Sequence, residues 1–454
     1  MRHLSPGPAR SVVARVALLS AVAVLAVVLF VSAGVAAKQA DAGGGGTPQR
    51  GFESPRLARL ARELGGGSDD SGKPADDGKP HGDALAAFFQ EVDGHAPLVE
   101  PSPGNDYQRL VTFLWKGSAQ TRRVGPLGTK PSFDASENEF KRFLATNLWF
   151  KTERLPADSR FGYAIAENDG PFKPDPLNPR VFAGRSVVEL PDAPQEPWLV
   201  RKPDVPPGSV TRRTVHRDLM KEDRPLAVYL PAGYRAEEAG SCSVLVVFDG
   251  ESFGSRAESA IPTPTILDNL CAQKTVAPTI ALLLDSQSTR DRDLVCSEVF
   301  ADFVARELLP WCRREYHAGQ DPARVTVAGS SYGGLCAAYV AFRHSAEVGN
   351  VLSMSGSFSY FPGWTDHKAE NTDETGWLTR RFANGPKLPV QFYLAAGRLE
   401  SNLLMENRHL RDVLEANGYT VNYTEYSGGH DYLGWRGAFV NGLVSLASRH
   451  EDRR

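Results

Sequence analysis

Residues 324–335, reading Arg-Val-Thr-Val-Ala-Gly-Ser-Ser-Tyr-Gly-Gly-Leu, constrain what this chain can fold into more than any other stretch. A short β-branched run ends in Gly329-Ser330-Ser331-Tyr332-Gly333, and small residues follow at once: Cys336, Ala337, Ala338, Val340 and Ala341. A strand that turns directly into a helix needs glycines at the corner, because the backbone bends sharply and passes close to its neighbours. Such an elbow lifts the central serine to the rim of a parallel sheet, at the positive end of a helix. A serine hydroxyl is a weak nucleophile until a base takes its proton, so Ser331 predicts a histidine and an acid further on.

The surrounding sequence supplies the sheet. Residues 243–248, 279–284, 325–328 and 389–394 are apolar without alternation, as expected of strands covered on both faces. Helical patterns intervene at 297–316, 335–344 and 404–417. This alternation predicts an α/β domain with a mostly parallel sheet flanked by helices over residues 201–454. It is preceded by two strands, 210–215 and 224–231, that read as antiparallel. A second Gly-x-Ser-x-Gly, Gly250-Glu251-Ser252-Phe253-Gly254, follows the first parallel strand, but Pro262 and Pro264 come after it rather than a good helix. The loop after an early strand is where a hydrolase supplies one backbone N–H to the oxyanion hole. Gly250 is therefore expected to line that loop, with the N–H of Tyr332 as the other donor and Ser252 as a bystander.

The candidate bases after Ser331 are His344, His367, His409, His430 and His450. His430 sits in Ser427-Gly428-Gly429-His430-Asp431, just after the strand-like 421–426, where a loop delivers an imidazole to the nucleophile's edge of the sheet. Glu400, the first carboxylate after the strand 390–396, is the expected acid; Glu406, Asp412 and Asp431 are the alternatives.

The first half of the chain reads differently. Arg2, Arg10 and Arg15 precede an apolar run over residues 16–37, long enough for the about 20 helical residues that cross a bilayer. A retained anchor and a cleaved signal peptide both fit residues 1–37, and both send the remainder out of the cytoplasm. Residues 38–84 are rich in Gly, Asp and Lys and read as a disordered tether with one amphipathic piece at 57–64. Short aromatic and β-branched runs at 110–115, 147–152 and 160–165 predict a small β-sandwich over 85–200, joined to the next domain by the proline-rich stretch 171–207. A net charge of −3 gives no basic surface for nucleic acid. The five cysteines form no CxxC pair and read as buried small hydrophobes rather than a metal site, with one disulfide open to an exported chain.

Residues 107–445 resemble the enterochelin (enterobactin) esterases. The resemblance is carried by Val247-Phe248-Asp249-Gly250, by Arg290-Asp291-Arg292-Asp293-Leu294, by Ala328 through Gly334, by Ser355-Gly356-Ser357, and by Gly428-Gly429-His430-Asp431 with Trp435-Arg436-Gly437. In the first half it rests on Leu155-Pro156-Ala157-Asp158, on Asp175-Pro176-Leu177-Asn178-Pro179, and on Glu189-Leu190-Pro191. It implies an immunoglobulin-like β domain followed by an α/β-hydrolase. It also implies serine-dependent hydrolysis of a macrocyclic lactone of catecholoyl-serine, usually carrying iron, with no cofactor of the protein's own. Carried over by position, Ser331 is the nucleophile, His430 the base, and Gly250 part of the oxyanion loop. Arg290 suits an anionic ferric catecholate, and Trp435 and Arg436 are expected at the substrate. Arg290 and Asp293 match the family's Arg-x-x-Glu with Asp in place of Glu, and a salt bridge that holds the loop is the other reading of Arg290. The export segment departs from cytoplasmic members of this type. Two other readings follow from that: an envelope esterase or acyltransferase acting on polysaccharide acyl or feruloyl esters, and a non-catalytic surface binding protein. Under the esterase readings the partner is a small-molecule ester, with the membrane reached through the N-terminal segment.

Overall fold

A computed structural model of the chain describes residues 52–64, 81–125, 138–219, 221–254, 260–363 and 376–451. The expected leader and most of the expected tether lie outside the described residues. Among the described residues no helix is long and apolar enough to cross a membrane.

The N-terminal part carries two antiparallel sheets. Leu98–Pro101 (β1), Gln108–Lys116 (β2), Lys141–Arg142 (β3) and Leu148–Pro156 (β4) form one, in the order β1-β2-β4-β3. Arg160–Tyr163 (β5), Val181–Phe182 (β6) and Arg185–Glu189 (β7) form the other, in the order β5-β7-β6. Alternate residues of a strand face opposite sides, and β2 uses both. Val111, Phe113 and Trp115 pack with Phe161, Tyr163 and Val188 of the second sheet. Leu110 is buried too, and Leu114 packs with two helices, Pro55–Glu63 and His81–Val92, through Leu57, Leu60, Phe88 and Phe89.

The first of these helices falls within the stretch expected to be a tether. Ser54 caps it, accepting from the Leu57 N–H at 3.2 Å and donating to Glu100 at 2.5 Å; Glu100 also accepts from the Arg56 N–H at 3.0 Å. A cap and two fully buried leucines give a short helix the tertiary support it lacks alone. That stretch is therefore not unstructured throughout.

The C-terminal part is built on one eight-stranded sheet. Its strands are Ser209–Arg217 (β8), Glu222–Leu230 (β9), Ser243–Phe248 (β10), Thr279–Leu284 (β11), Val325–Ser330 (β12), Asn350–Met354 (β13), Gln391–Gly397 (β14) and Thr420–Tyr426 (β15). The order is β15-β14-β13-β12-β10-β11-β9-β8, with β10 to β15 mutually parallel and β8 and β9 antiparallel at one end. The apolar strands split cleanly between two cores. Val244, Val246 and Phe248 face one side with helices Glu298–Phe303, Tyr332–Arg343 and Asn402–Ala416. Leu245 and Val247 face the other with Thr263–Ala272 and Tyr432–Glu451. Both faces are covered, which is why these strands show no polar alternation. The arrangement is α/β-hydrolase-like.

Two details differ from the sequence reading. Strand β13, Asn-Val-Leu-Ser-Met, was not anticipated, because Asn350 and Ser353 break its apolar run although all five residues are buried. Pro262 and Pro264 do not interrupt a helix but start one, Thr263–Ala272, where a missing N–H costs nothing. All five cysteines are unpaired.

Arg224, at the start of β9, is fully buried. Its guanidinium pairs with Asp293 and donates to the carbonyls of Asp285 and Ser286, both at 2.9 Å, and to Thr289 at 2.8 Å. It thus stitches the antiparallel end of the sheet to the segment after β11. Arg224→Met is expected to destabilise the fold by about 3–5 kcal/mol, since it leaves a buried carboxylate without its strongest partner. Urea unfolding measures this, and a loss below about 1 kcal/mol would assign the pair no structural weight.

Candidate active site

Ser331 stands where β12 ends and helix Tyr332–Arg343 begins, with φ 56° and ψ −122°. A non-glycine residue at positive φ is strained, and here the surrounding contacts hold it. The Ser331 N–H donates to Met354 O at 2.9 Å, and its carbonyl accepts from the Ser357 N–H at 3.2 Å. Gly329 is required for close approach, because a Cβ there would lie 2.5 Å from the Gly333 carbonyl carbon. The Ser331 Oγ hydrogen bonds to Ser357 Oγ at 3.4 Å. It makes no direct hydrogen bond to the imidazole among the described residues, a contact that in hydrolases commonly tightens only once substrate is present.

His430 follows β15, and its Nδ1 is 2.9 Å from Glu400 Oε2. Glu400 follows β14 and is 1% exposed. Its other oxygen, Oε1, accepts from Ser355 Oγ at 2.6 Å, from Tyr426 OH at 2.8 Å and from the Gly397 N–H at 2.8 Å. Partners on both oxygens fix the plane of the carboxyl group. A carboxylate so held presents one lone pair to Nδ1–H, which leaves Nε2 as the basic nitrogen. Ser355 and Ser357 join the two halves of this arrangement, one touching Glu400 and the other Ser331. The sequence offered a signal for them, since Ser355-Gly356-Ser357 directly follows a strand, but that strand was not recognised.

The alternative carboxylates point elsewhere. Glu406 accepts from the Ser359 N–H at 3.0 Å, and burial pushes its carboxyl up to about 7. Asp412 pairs with Arg411 at 2.6 Å. Asp431 accepts from the N–H groups of Gly162, Leu433 and Gly434, and burial pushes its carboxyl up to about 6 despite those donors. Of the other histidines, His344 is paired with Asp302 at 2.7 Å, away from the elbow; His367 lies outside the described residues.

Tyr332 is the first residue of the elbow helix, so its N–H lies at the helix's positive end. The Gly250 N–H donates to Leu284 O at 2.8 Å, and a Cβ at Gly250 would meet the Leu283 carbonyl carbon at 2.3 Å. Gly250 thus lets the loop cross the sheet edge, and a donor to a bound oxyanion has to come from a neighbouring N–H. Ser252, the rival serine, accepts from Tyr432 OH at 2.9 Å.

Arg290 grips Asp249 with two hydrogen bonds, 2.8 and 2.9 Å, and its guanidinium lies 5.6 Å from the Tyr332 ring centre. It thereby ties the loop before Gly250 to the start of the elbow helix. Asp293 pairs with Arg224 and not with Arg290. Trp435 is buried, donates from Nε1 to Ser355 Oγ at 2.9 Å and sets its ring edge-on to His430, with centroids 4.8 Å apart. Arg436 pairs with Glu196 of the N-terminal part at 2.5 Å. Of the three residues expected at the substrate, Trp435 thus backs the imidazole and Arg436 joins the two halves of the chain.

A hydroxyl on a strained elbow, an imidazole oriented by a carboxylate, and the positive N-terminus of a helix can together run acyl transfer. Comparisons with known proteins point the same way. The family model described as "Putative esterase" matches residues 218–446. An iron(III) enterobactin esterase of Dickeya dadantii is 27% identical over 406 residues, covering 79% of this chain and 92% of that protein. An iron(III) salmochelin esterase of Escherichia coli is 27% identical over 398 residues, covering 80% and 93%. Among solved structures, a ferric enterobactin esterase of Salmonella typhimurium superposes with a TM-score of 0.64 at 24% identity, covering 81% of this chain and 100% of that one.

Proposed function

Since the chain belongs to the esterase family, we propose that this carboxylic-ester hydrolase opens the ester bonds of a catecholate siderophore trilactone of the enterobactin type. The observation that carries the chemistry is the 2.9 Å contact of Glu400 with His430 at the same sheet edge as the strained Ser331. The substrate class is supported by relatives named for iron(III) enterobactin and iron(III) salmochelin, aligned over more than nine-tenths of their own length. In the proposed cycle, His430 Nε2 takes the proton of Ser331 Oγ as that oxygen bonds to the ester carbonyl carbon. The Tyr332 N–H and an N–H of the 249–251 loop hold the oxyanion. Collapse breaks the ester C–O bond, and His430 returns its proton to the leaving serine hydroxyl of the trilactone. Water, deprotonated by the same imidazole, then releases the acyl group from Ser331. Arg290 stands beside this loop, where its charge would favour an anionic substrate.

The finer fold reading is that the N-terminal part is an immunoglobulin-like sandwich, supported by its four- and three-stranded antiparallel sheets around one shared core. Action outside the cytoplasm is supported by the basic and apolar residues of the leader sequence.

The test is to assay the purified chain on ferric and iron-free enterobactin beside acetylated and feruloylated sugars. Linear catecholoyl-serine products from the trilactone are expected; turnover of the sugar esters alone would overturn the siderophore assignment.

A further inference from the structure

We propose that Asp431 is the positioning residue through which the N-terminal β part fixes the loop carrying His430, so that both halves of the chain build the catalytic base. The proposal rests on the serine-esterase reading above and adds to it a role for the N-terminal part.

Strand β5 is an edge strand, paired with β7 on one side only. An open edge leaves every second N–H without a partner, and such groups need one when covered. Here the partner is the base loop. The Arg160 N–H donates to Ser427 O at 2.9 Å, and the Gly162 N–H donates to Asp431 Oδ2 at 2.9 Å. These two donors, two residues apart on one edge, hold both ends of Ser427-Gly428-Gly429-His430-Asp431. The fit between them is tight: a Cβ at Gly428 would lie 2.8 Å from Arg160 O.

Asp431 also acts in the opposite direction along the chain. Its Oδ1 accepts from the Leu433 N–H at 2.9 Å and from the Gly434 N–H at 3.3 Å, and its carbonyl accepts from the Trp435 N–H at 3.1 Å. It therefore caps the helix that brings Trp435 against the imidazole. One carboxylate thus reads β5 with one oxygen and the first turn of that helix with the other, and His430 is its immediate neighbour. The acid shares the anchor, because the Leu399 N–H donates to Gly428 O at 3.0 Å and Leu399 packs on the N-terminal core.

The two oxygens make separable predictions. Asp431→Ser keeps a good helix cap but is too short to reach β5. Asp431→Asn keeps an oxygen for the cap and sets an amide N–H against the Gly162 N–H. Both variants are expected to lose about tenfold to a hundredfold in kcat on a soluble aryl ester, the scale of a small misplacement of a catalytic group. KM should stay within about twofold, since the substrate contacts are untouched. Labelling of Ser331 by a fluorophosphonate should slow in parallel, because that reaction also needs the base.

Glu196→Gln is the comparison. Glu196 bridges Arg160 at 3.0 Å and Arg436 at 2.5 Å across the same interface without touching the base loop. Its loss should lower the melting temperature and leave kcat within about twofold. Retention of kcat in both Asp431 variants overturns the proposal. So does an equal loss of kcat in Glu196→Gln, which would make the effect one of interface stability at large. If the unmutated chain is neither labelled nor active, the serine-esterase reading itself fails, an outcome separate from any difference among the variants.

Discussion

Ser331→Ala is expected to lower kcat on an aryl ester by about a thousandfold or more, the loss typical of removing a triad nucleophile, while the protein melts within a few degrees of its parent. The contrast follows from what the side chain does and does not touch. At the start of helix Tyr332–Arg343 the Ser331 side chain makes no capping hydrogen bond, and its one side-chain partner among the described residues is Ser357 Oγ, at the long distance of 3.4 Å. The strained backbone is held instead by main-chain bonds to Met354 and Ser357, which alanine keeps. Steady-state rates with a thermal melt decide the matter. If the alanine variant retained more than a tenth of the parent kcat, Ser331 would not be the nucleophile, and Ser252 would have to be reconsidered despite its bond to Tyr432.

Glu400→Gln is expected to cost kcat on the order of 10⁴, comparable to the wrong-tautomer effect known for serine-protease acids. Oε1 accepts three hydrogen bonds, from Ser355, Tyr426 and Gly397, so the single oxygen of glutamine is drawn to that site. The amide nitrogen then faces His430 Nδ1, where two donors would meet. The imidazole answers by moving its proton to Nε2, and a protonated Nε2 cannot take the proton of Ser331. Flipping the amide instead would set donors against the Gly397 N–H, which cannot turn away. The pH–rate profile of the residual activity and the kcat itself are the measurements. A loss of less than tenfold would move the acid's role to another carboxylate, with Asp431→Asn already available as the alternative.

Much of this site could be read before any fold was known, for reasons that are local. The elbow at residues 329–334 is specified by short-range sterics, since a strand that meets a helix without a linker needs glycine at fixed offsets. The parallel strands were legible because two covered faces demand unbroken apolar runs, as in residues 243–248. The glycine loop around His430 follows a strand in sequence and therefore opens at the same sheet edge. Strand β13 escaped because its burial is decided by neighbours on both sides and not by its own apolar content. The amphipathic piece at 57–64 was legible, but not its packing as the helix Pro55–Glu63, because its two leucines find a core only when β2 and β4 are already in place.

The sequence by itself pointed to Ser331 as the expected nucleophile, to a histidine and an acid after it, and to the double-sided sheet, because each reading rests on a few neighbouring residues. Only the tertiary structure decided which oxygen of Glu400 meets the imidazole, that Ser355 touches Glu400 and Ser357 touches Ser331, and that the Gly250 N–H is already bonded to Leu284. It alone turned Trp435 inward behind His430 and Arg436 toward Glu196. The physical reason is one of range. Backbone sterics and hydrophobic period act over neighbouring residues, whereas a hydrogen bond between Gly162 and Asp431 depends on two segments 269 positions apart arriving at the same place.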